Sequence, residues 1–148
     1  MRYRMNEASV DVPDDWHEQT LHIFSSEAPG RAGHSLVISG EPLPPGKTLD
    51  AFKAMALIRL PHELPGFKLI QESPASIQGR IPAVVIESQW QQEGSVMRVF
   101  QALFVVSSGW PKQSLKGYHL TMTVPELLYT EQSQLLFAQI LRSYQFDR

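Results

Sequence analysis

The sequence contains no cysteine. That excludes disulfides, thiolate nucleophiles, zinc–thiolate sites and iron–sulfur clusters. A charge surplus is missing too: 13 Lys plus Arg stand against 15 Asp plus Glu, a net charge of -2. No basic field exists to steer the chain to nucleic acid or anionic lipid. No apolar run approaches the roughly 20 residues of a membrane span. The best case, Phe100 to Val106, is strand length. Met1-Arg2-Tyr3-Arg4-Met5-Asn6-Glu7 holds no apolar stretch of the kind a signal peptide needs. Internal repeats and low-complexity tracts are also lacking. The expectation is a cytoplasmic protein without nucleic-acid partners and without direct membrane insertion.

What is present is ordinary globular composition, 43% hydrophobic and 19% charged over 148 residues. Such a chain is too apolar for intrinsic disorder. The length predicts one domain, residues 1–148. Folding at this size buries about 68–70% of the unfolded surface, enough for one substantial core.

Alternation and turn residues predict the elements. Tyr3 to Val12 reads as a strand and Pro13-Asp14-Asp15-Trp16 as a turn. Gln19 to Ser25 and His34 to Ser39 read as a hairpin across a loop containing Pro29-Gly30 and Gly33. Gly40 to Gly46, with Pro42, Pro44 and Pro45, reads as a stiff loop outside any ladder. A helix opens at Lys47 or Thr48 and ends near Leu60, before Pro61. Leu64-Pro65-Gly66-Phe67 turns into a strand, Lys68 to Glu72, followed by a loop at Pro74. Gln78-Gly79 and Glu93-Gly94 introduce the strands Pro82 to Gln91 and Ser95 to Ser107. Tyr118 to Val124 is the last strand. Thr130 to Tyr144 is a closing helix with a stripe of Leu135, Leu136, Gln139, Ile140 and Tyr144. The predicted fold class is α+β, a twisted, mostly antiparallel sheet of about seven strands with two flanking helices.

One strand departs from the pattern of a half-buried sheet. Phe100, Ala102 and Phe104 point to one side, while Val99, Leu103 and Val105 point to the other. Both faces therefore want cover, with Gln101 alone among the second set. The first helix is nearly apolar all round, from Ala51 to Leu60. If both helices lie on one side of the sheet, the other side needs a subunit, a ligand or a client chain. Either that face closes on the chain's other strands as a sandwich, or it is an apolar interaction surface.

Patterns for chemistry are sparse. Gly46-Lys47-Thr48 lacks a glycine at P-loop spacing, and the prolines before it lack the N–H groups that cradle phosphate. Gly30-Arg31-Ala32-Gly33-His34 reads as a hairpin tip. The histidines His17, His22, His34, His62 and His119 form no metal-ligand spacing. His22 and His119 lie on strands where they could converge. Asp14 and Asp15 are turn neighbours rather than an acid/base pair. No nucleophile elbow occurs. Trp16, Trp90 and Trp110 lack the basic neighbours of a base-stacking platform. The expectation is a protein that is not an enzyme and carries no cofactor and no metal.

Several stretches, in this order, resemble a known family: Pro13-Asp14-Asp15-Trp16, Leu21-His22-Ile23-Phe24, Leu36-Val37-Ile38-Ser39, Leu64-Pro65-Gly66-Phe67-Lys68-Leu69, and Gln89-Trp90-Gln91-Gln92-Glu93-Gly94 with Gln101. The chain resembles the DcrB-related family and, within it, the Eag (effector-associated gene) chaperones of bacterial type VI secretion. The resemblance implies a PsbP-like fold and a cytoplasmic homodimer with a concave apolar surface. It implies that the protein binds and shields the hydrophobic N-terminal transmembrane segments of a PAAR-domain toxin and assists its loading on the VgrG spike. Matched position by position, the client-binding groove falls on Leu21, Ile23, Val37, Leu60, Leu64, Met97, Val99, Gln101 and Leu103. For each of these the alternative is plain core packing. Ala56 stands where relatives often carry a glutamine. A rival reading is a PsbP-like assembly factor that binds a folded partner without an apolar groove. A third is a small hydrolase with a dispersed site, which would need His22 or His119 in a cleft beside a carboxylate.

Overall fold

The computed structural model of the chain describes residues 2–4, 9–14, 21–26, 33–108 and 114–145. Trp16, His17, Trp110 and the predicted tip at 27–32 lie outside them. Two tight turns set the sheet register. Glu93-Gly94 is a two-residue loop with φ of 47° and 85°, a primed turn whose twist matches that of its strands. Gln78 and Gly79 also have positive φ, and the Arg80 N–H closes that turn on the Ile77 carbonyl at 3.1 Å. These turns join β5 (Lys68–Ile77), β6 (Ile81–Gln92) and β7 (Ser95–Ser108).

The remaining strands are β1 (Arg2–Arg4), β2 (Ser9–Asp11), β3 (Leu21–Ser25), β4 (Ser35–Leu43) and β8 (Ser114–Pro125). Strands β1 and β2 pair with each other, where a single strand was expected. The other six form one antiparallel sheet in the order β3-β4-β8-β7-β6-β5. Two helices, α1 (Leu49–Glu63) and α2 (Glu131–Ser143), complete the α+β fold. Threonines cap both: the Thr48 hydroxyl accepts from the Ala51 N–H, and Thr130 forms a capping box with Ser133. The Gly-Lys-Thr run is thus a helix start.

Three proline readings are corrected. Strand β4 runs through Pro42, which pairs with Lys116 of β8. Its pairing with β3 ends at Ser39, so beyond that point the described structure has a ladder on one side only, where proline is tolerated. Strand β5 runs through Pro74 for the same reason, because β5 is the sheet edge. Helix α1 passes Pro61, and the Leu64 N–H still bonds the Leu60 carbonyl at 2.9 Å. A proline so near the end removes one bond from the last turn.

The helices lie one on each face, not together. Helix α2 brings Phe137 and Leu141 onto Phe100, Ala102, Phe104, Leu120 and Met122. Helix α1 brings Phe52 and Ala56 onto Ile86 and Leu103, with Val84, Val105 and Leu115 around them. The two apolar faces of β7 are thereby explained, because each has its own helix. Phe52 sits on a floor without a side chain. A Cβ on Gly117 would come within 2.6 Å of its ring, which is 2% exposed and packs edge-on to His119. We expect Gly117→Ala to cost about 1–3 kcal/mol by overpacking. A lowered urea midpoint checks it, and an unchanged midpoint would show that α1 is free to shift.

Candidate functional site

Strand pairing lays out the α1 face in rows. One row reads Ile23, Val37, Thr121, Gln101, Ile86 across β3, β4, β8, β7 and β6. The next reads Leu21, Ser39, His119, Leu103, Val84, and the row on the other side ends in Thr123, Val99 and Ser88. Helix α1 covers the β6 end of these rows and not the β3 end. Leu21 is therefore 57% exposed and Ile23 66%, while Leu103 is 0% exposed beneath α1.

The matched groove residues divide accordingly. Leu21, Ile23, Val37, Met97, Val99, Gln101 and Leu103 share one face of the sheet. Leu60 and Leu64 lie at the C-terminal end of α1 and are half-buried, as are Val37 and Met97. Val99 is buried without belonging to either helix cluster. Leu103 belongs to the core under α1 and offers no surface. Ala56 is buried against the same core.

A polar island lies in the middle of this face. Ser39, Gly40, Glu41, Arg59, Gln101, His119 and Thr121 line one pocket. His119 Nε2 is 3.2 Å from Glu41 Oε1, and its Nδ1 is 3.4 Å from Gln101 Nε2. Gln101 Nε2 also donates to Thr121 Oγ1 at 3.2 Å. Among the described residues Gln101 Oε1 is buried with no partner. Burial holds the His119 imidazole below its ordinary pKa, against the upward pull of Glu41. The ring is consequently neutral at physiological pH.

His119 does stand beside a carboxylate, the condition set for a hydrolase. Both of its ring nitrogens are engaged, however, one by Glu41 and one by the Gln101 amide, so neither faces a nucleophilic hydroxyl as a base. The expected convergence with His22 does not occur. His22 pairs with Ile38 on the opposite face, one position out of phase with His119 and Ser39. His34 is buried and its Nε2 meets Ser133 Oγ at 3.3 Å, fastening the start of β4 to α2. Among the described residues no three His, Asp, Glu or Cys side chains gather as metal ligands, and no helix is long and apolar enough to cross a membrane.

Glu41 and Thr121 escaped the sequence reading. The prolines hid Glu41, because reading 40–46 as a loop removed it from the sheet. The two-residue period of Val37 and Ser39, continued one step, would have placed it. The two motifs that carried the resemblance also meet in space: the Gln91 N–H donates to the Pro65 carbonyl at 2.8 Å, tying the Leu-Pro-Gly-Phe turn to the β6 hairpin.

The DcrB family model matches residues 7–143. The chain belongs to the DcrB family. The chain is similar to Effector EagT6 of Pseudomonas aeruginosa, strain PAO1, 37% identical over 93 residues. That alignment covers 62% of this chain and 64% of EagT6, so the chain spans less than two thirds of that relative. The crystal structure of PA94 from Pseudomonas aeruginosa, a protein of unknown function, is similar over 100% of this chain and 97% of its own, with a TM-score of 0.75 and 26% identity. LpqN of Mycobacterium tuberculosis, involved in cell envelope biogenesis, shares the fold at a TM-score of 0.57 and 18% identity, over 92% of this chain and 79% of LpqN. In this chain α1 half covers one face of the sheet, and the half that no described element covers holds Leu21 and Ile23.

Proposed function

We propose that this DcrB-family protein is a type VI secretion effector chaperone, a binding module without catalysis. It takes the hydrophobic N-terminal segments of a PAAR-domain effector onto the open end of the α1 face, keeps them from water, and assists loading on the VgrG spike. It does so in the cytoplasm and as a homodimer. The observation that carries this reading is the exposure of Leu21 and Ile23 on one face of β3, with half-buried Val37 opposite Ile23, an apolar strip that no element of the described chain covers. Similarity to a protein named Effector EagT6 supports the link to an effector.

The physics is that of apolar burial. A transmembrane segment in water exposes large apolar area, at about 25 cal/mol per Å². A strip of spaced apolar side chains with few charges is the surface that accepts such a helix. Gln101 lies beside the strip as a polar contact for a group the client buries. The test is an affinity pull-down of the tagged protein from its own host with mass spectrometry. Recovery of one large protein with an apolar N-terminal region and a PAAR domain is the expected result. Recovery of folded soluble partners alone, released by salt, would replace this reading with that of an assembly factor.

A further inference from the structure

Helix α2 leaves part of its own sheet face open. Its stripe Gln134, Ala138 and Leu141 faces the edge strand β5 across a pocket of about 220 Å³. Val85, Phe100 and Phe137 line the apolar part of this pocket, and the cross-strand pair Gln71 and Glu87 closes one end. Gln71, Gln134 and Ala138 are exposed, so the pocket opens to solvent between them. It exceeds the roughly 150 Å³ that holds a benzene ring and falls short of the roughly 300 Å³ of a drug-sized site. A chain of a few carbons suits that volume.

The closed end is short of positive charge. Arg98 gives two nitrogens to Glu126 and one to Glu87, so two carboxylates share one cation. The Glu126 side chain is 30% exposed and water answers it, whereas that of Glu87 is 6% exposed. Among the described residues the other oxygen of Glu87 is answered by the neutral Gln71 amide, at 2.9 Å. Lys68, on the same face at the start of β5, is exposed and forms an ion pair with neither carboxylate.

We infer that this pocket binds a primary alkylammonium group, its methylene chain against Val85, Phe100, Phe137 and Leu141 and its nitrogen on Glu87 Oε1 in place of the Gln71 amide. A charge-assisted bond there replaces a neutral one and is roughly twice as strong. The Ser73 hydroxyl and the Gln134 amide oxygen, on the pocket wall, are acceptors for the remaining N–H donors. A guanidinium fits less well. Its planar fork matches both oxygens of a carboxylate, and Arg98 already holds one of those of Glu87. The chemistry is common to a free alkylamine and to a lysine side chain, an ammonium on a four-carbon stem. The site is independent of the client surface proposed above, which lies on the α1 face.

The test is an NMR titration of the full chain at neutral pH with n-pentylamine, 1-pentanol and n-butylguanidine. The amine should shift the Val85 and Leu141 methyl signals and the Gln71 side-chain NH2 saturably, half-saturating in roughly the millimolar range. The alcohol should bind about tenfold more weakly, and the guanidine more weakly than the amine. Gln71→Ala, at an exposed position, frees Glu87 Oε1 and should tighten amine binding severalfold. Glu87→Gln should bring the amine down to the level of the alcohol. Ala138→Leu, at an exposed helical position, fills the mouth and should abolish binding without lowering the melting temperature.

No saturable shift at these signals would overturn the site. An alcohol that binds as tightly as the amine would overturn the role of Glu87, and a guanidine that binds more tightly would overturn the ammonium. If Glu87→Gln does not fold, an amine affinity unmoved by both Gln71→Ala and Ala138→Leu overturns the placement. Two pentapeptides, alanine throughout except for a central lysine or norleucine, separate the sources. Competition with the amine by the lysine peptide alone assigns a lysine side chain of a partner. Competition by neither assigns a free amine, and equal competition by both would overturn the ammonium.

Discussion

Ile23→Asp abolishes client capture and leaves a folded protein; that is the largest functional effect expected of a single substitution here. Ile23 is on β3, the edge strand, and is 66% exposed. In the free protein the aspartate stays in water, so the stability change should lie within about 1 kcal/mol, the span of strand preferences. Against an apolar helix the same carboxylate is buried without a cation. That costs several kcal/mol, a loss of at least a hundredfold in affinity. Thermal melting and gel filtration should match the unmodified protein, while the pull-down returns no client. Leu103→Asp is the control. It lies one row away on the same face but is 0% exposed under α1, and it should unfold the chain. If Ile23→Asp also unfolds it, the edge of the sheet is core and the groove is misplaced.

The largest stability effect is expected on the other face. The Arg98 guanidinium grips Glu126 through two bonds of 2.9 Å and also contacts Glu87. Its Cζ lies 4.2 Å from the Tyr129 ring centroid. Gln71 donates to the second oxygen of Glu87 at 2.9 Å. One cation thus answers two carboxylates, of which Glu87 is almost fully buried. It also fastens the short 3-10 turn Glu126–Leu128, which leads into α2, to the end of β7. Arg98→Met leaves Glu87 buried with Gln71 and without its cation. The expected loss is about 3–5 kcal/mol. At about 2–4 °C per kcal/mol the midpoint falls by roughly 6–20 °C.

Adding Glu87→Gln to Arg98→Met should recover part of this, because the uncompensated charge goes with it. A double variant no more stable than Arg98→Met would show that the lost packing of the guanidinium on Tyr129, not the charge, is what matters. Acid provides a second reading. Arg98 holds the Glu126 carboxyl below the usual carboxylate range. A depressed folded value stabilises above the unfolded value and is lost as pH falls through the folded one. The unmodified protein should therefore lose this contribution in acid, and Arg98→Met should have little of it to lose.

Local sequence carried much of the fold. Gly94 and Gly79 take up the positive φ that glycine allows, Glu93 and Gln78 enter the same region beside them, and the two turns align the long strands. The two-residue period of β7 gave both faces correctly. The stripe read on α2 was only partly right: Leu136, Ile140 and Tyr144 pack against the core, but Phe137 and Leu141 carry its buried side and Leu135 is 59% exposed. The same local rules misjudged Pro42, Pro61 and Pro74. A proline forbids a bond only where a bond is needed, and sheet edges and helix ends are places where it is not. Whether a strand is at the edge is a property of the sheet order, which no window of residues contains.

The sequence by itself determined an α+β chain with a two-sided apolar strand, no cysteine chemistry and no charge for nucleic acid. Tertiary structure alone decided which helix covers which face, and so why Leu103 is core while Ile23, one row away, is open. It alone joined Glu41 to His119 across 78 positions and Arg98 to Glu126 across 28. Those pairs follow from strand register and helix placement. Side chains distant along the chain meet only once the sheet is laid down, and the low dielectric around them then makes each polar partner count.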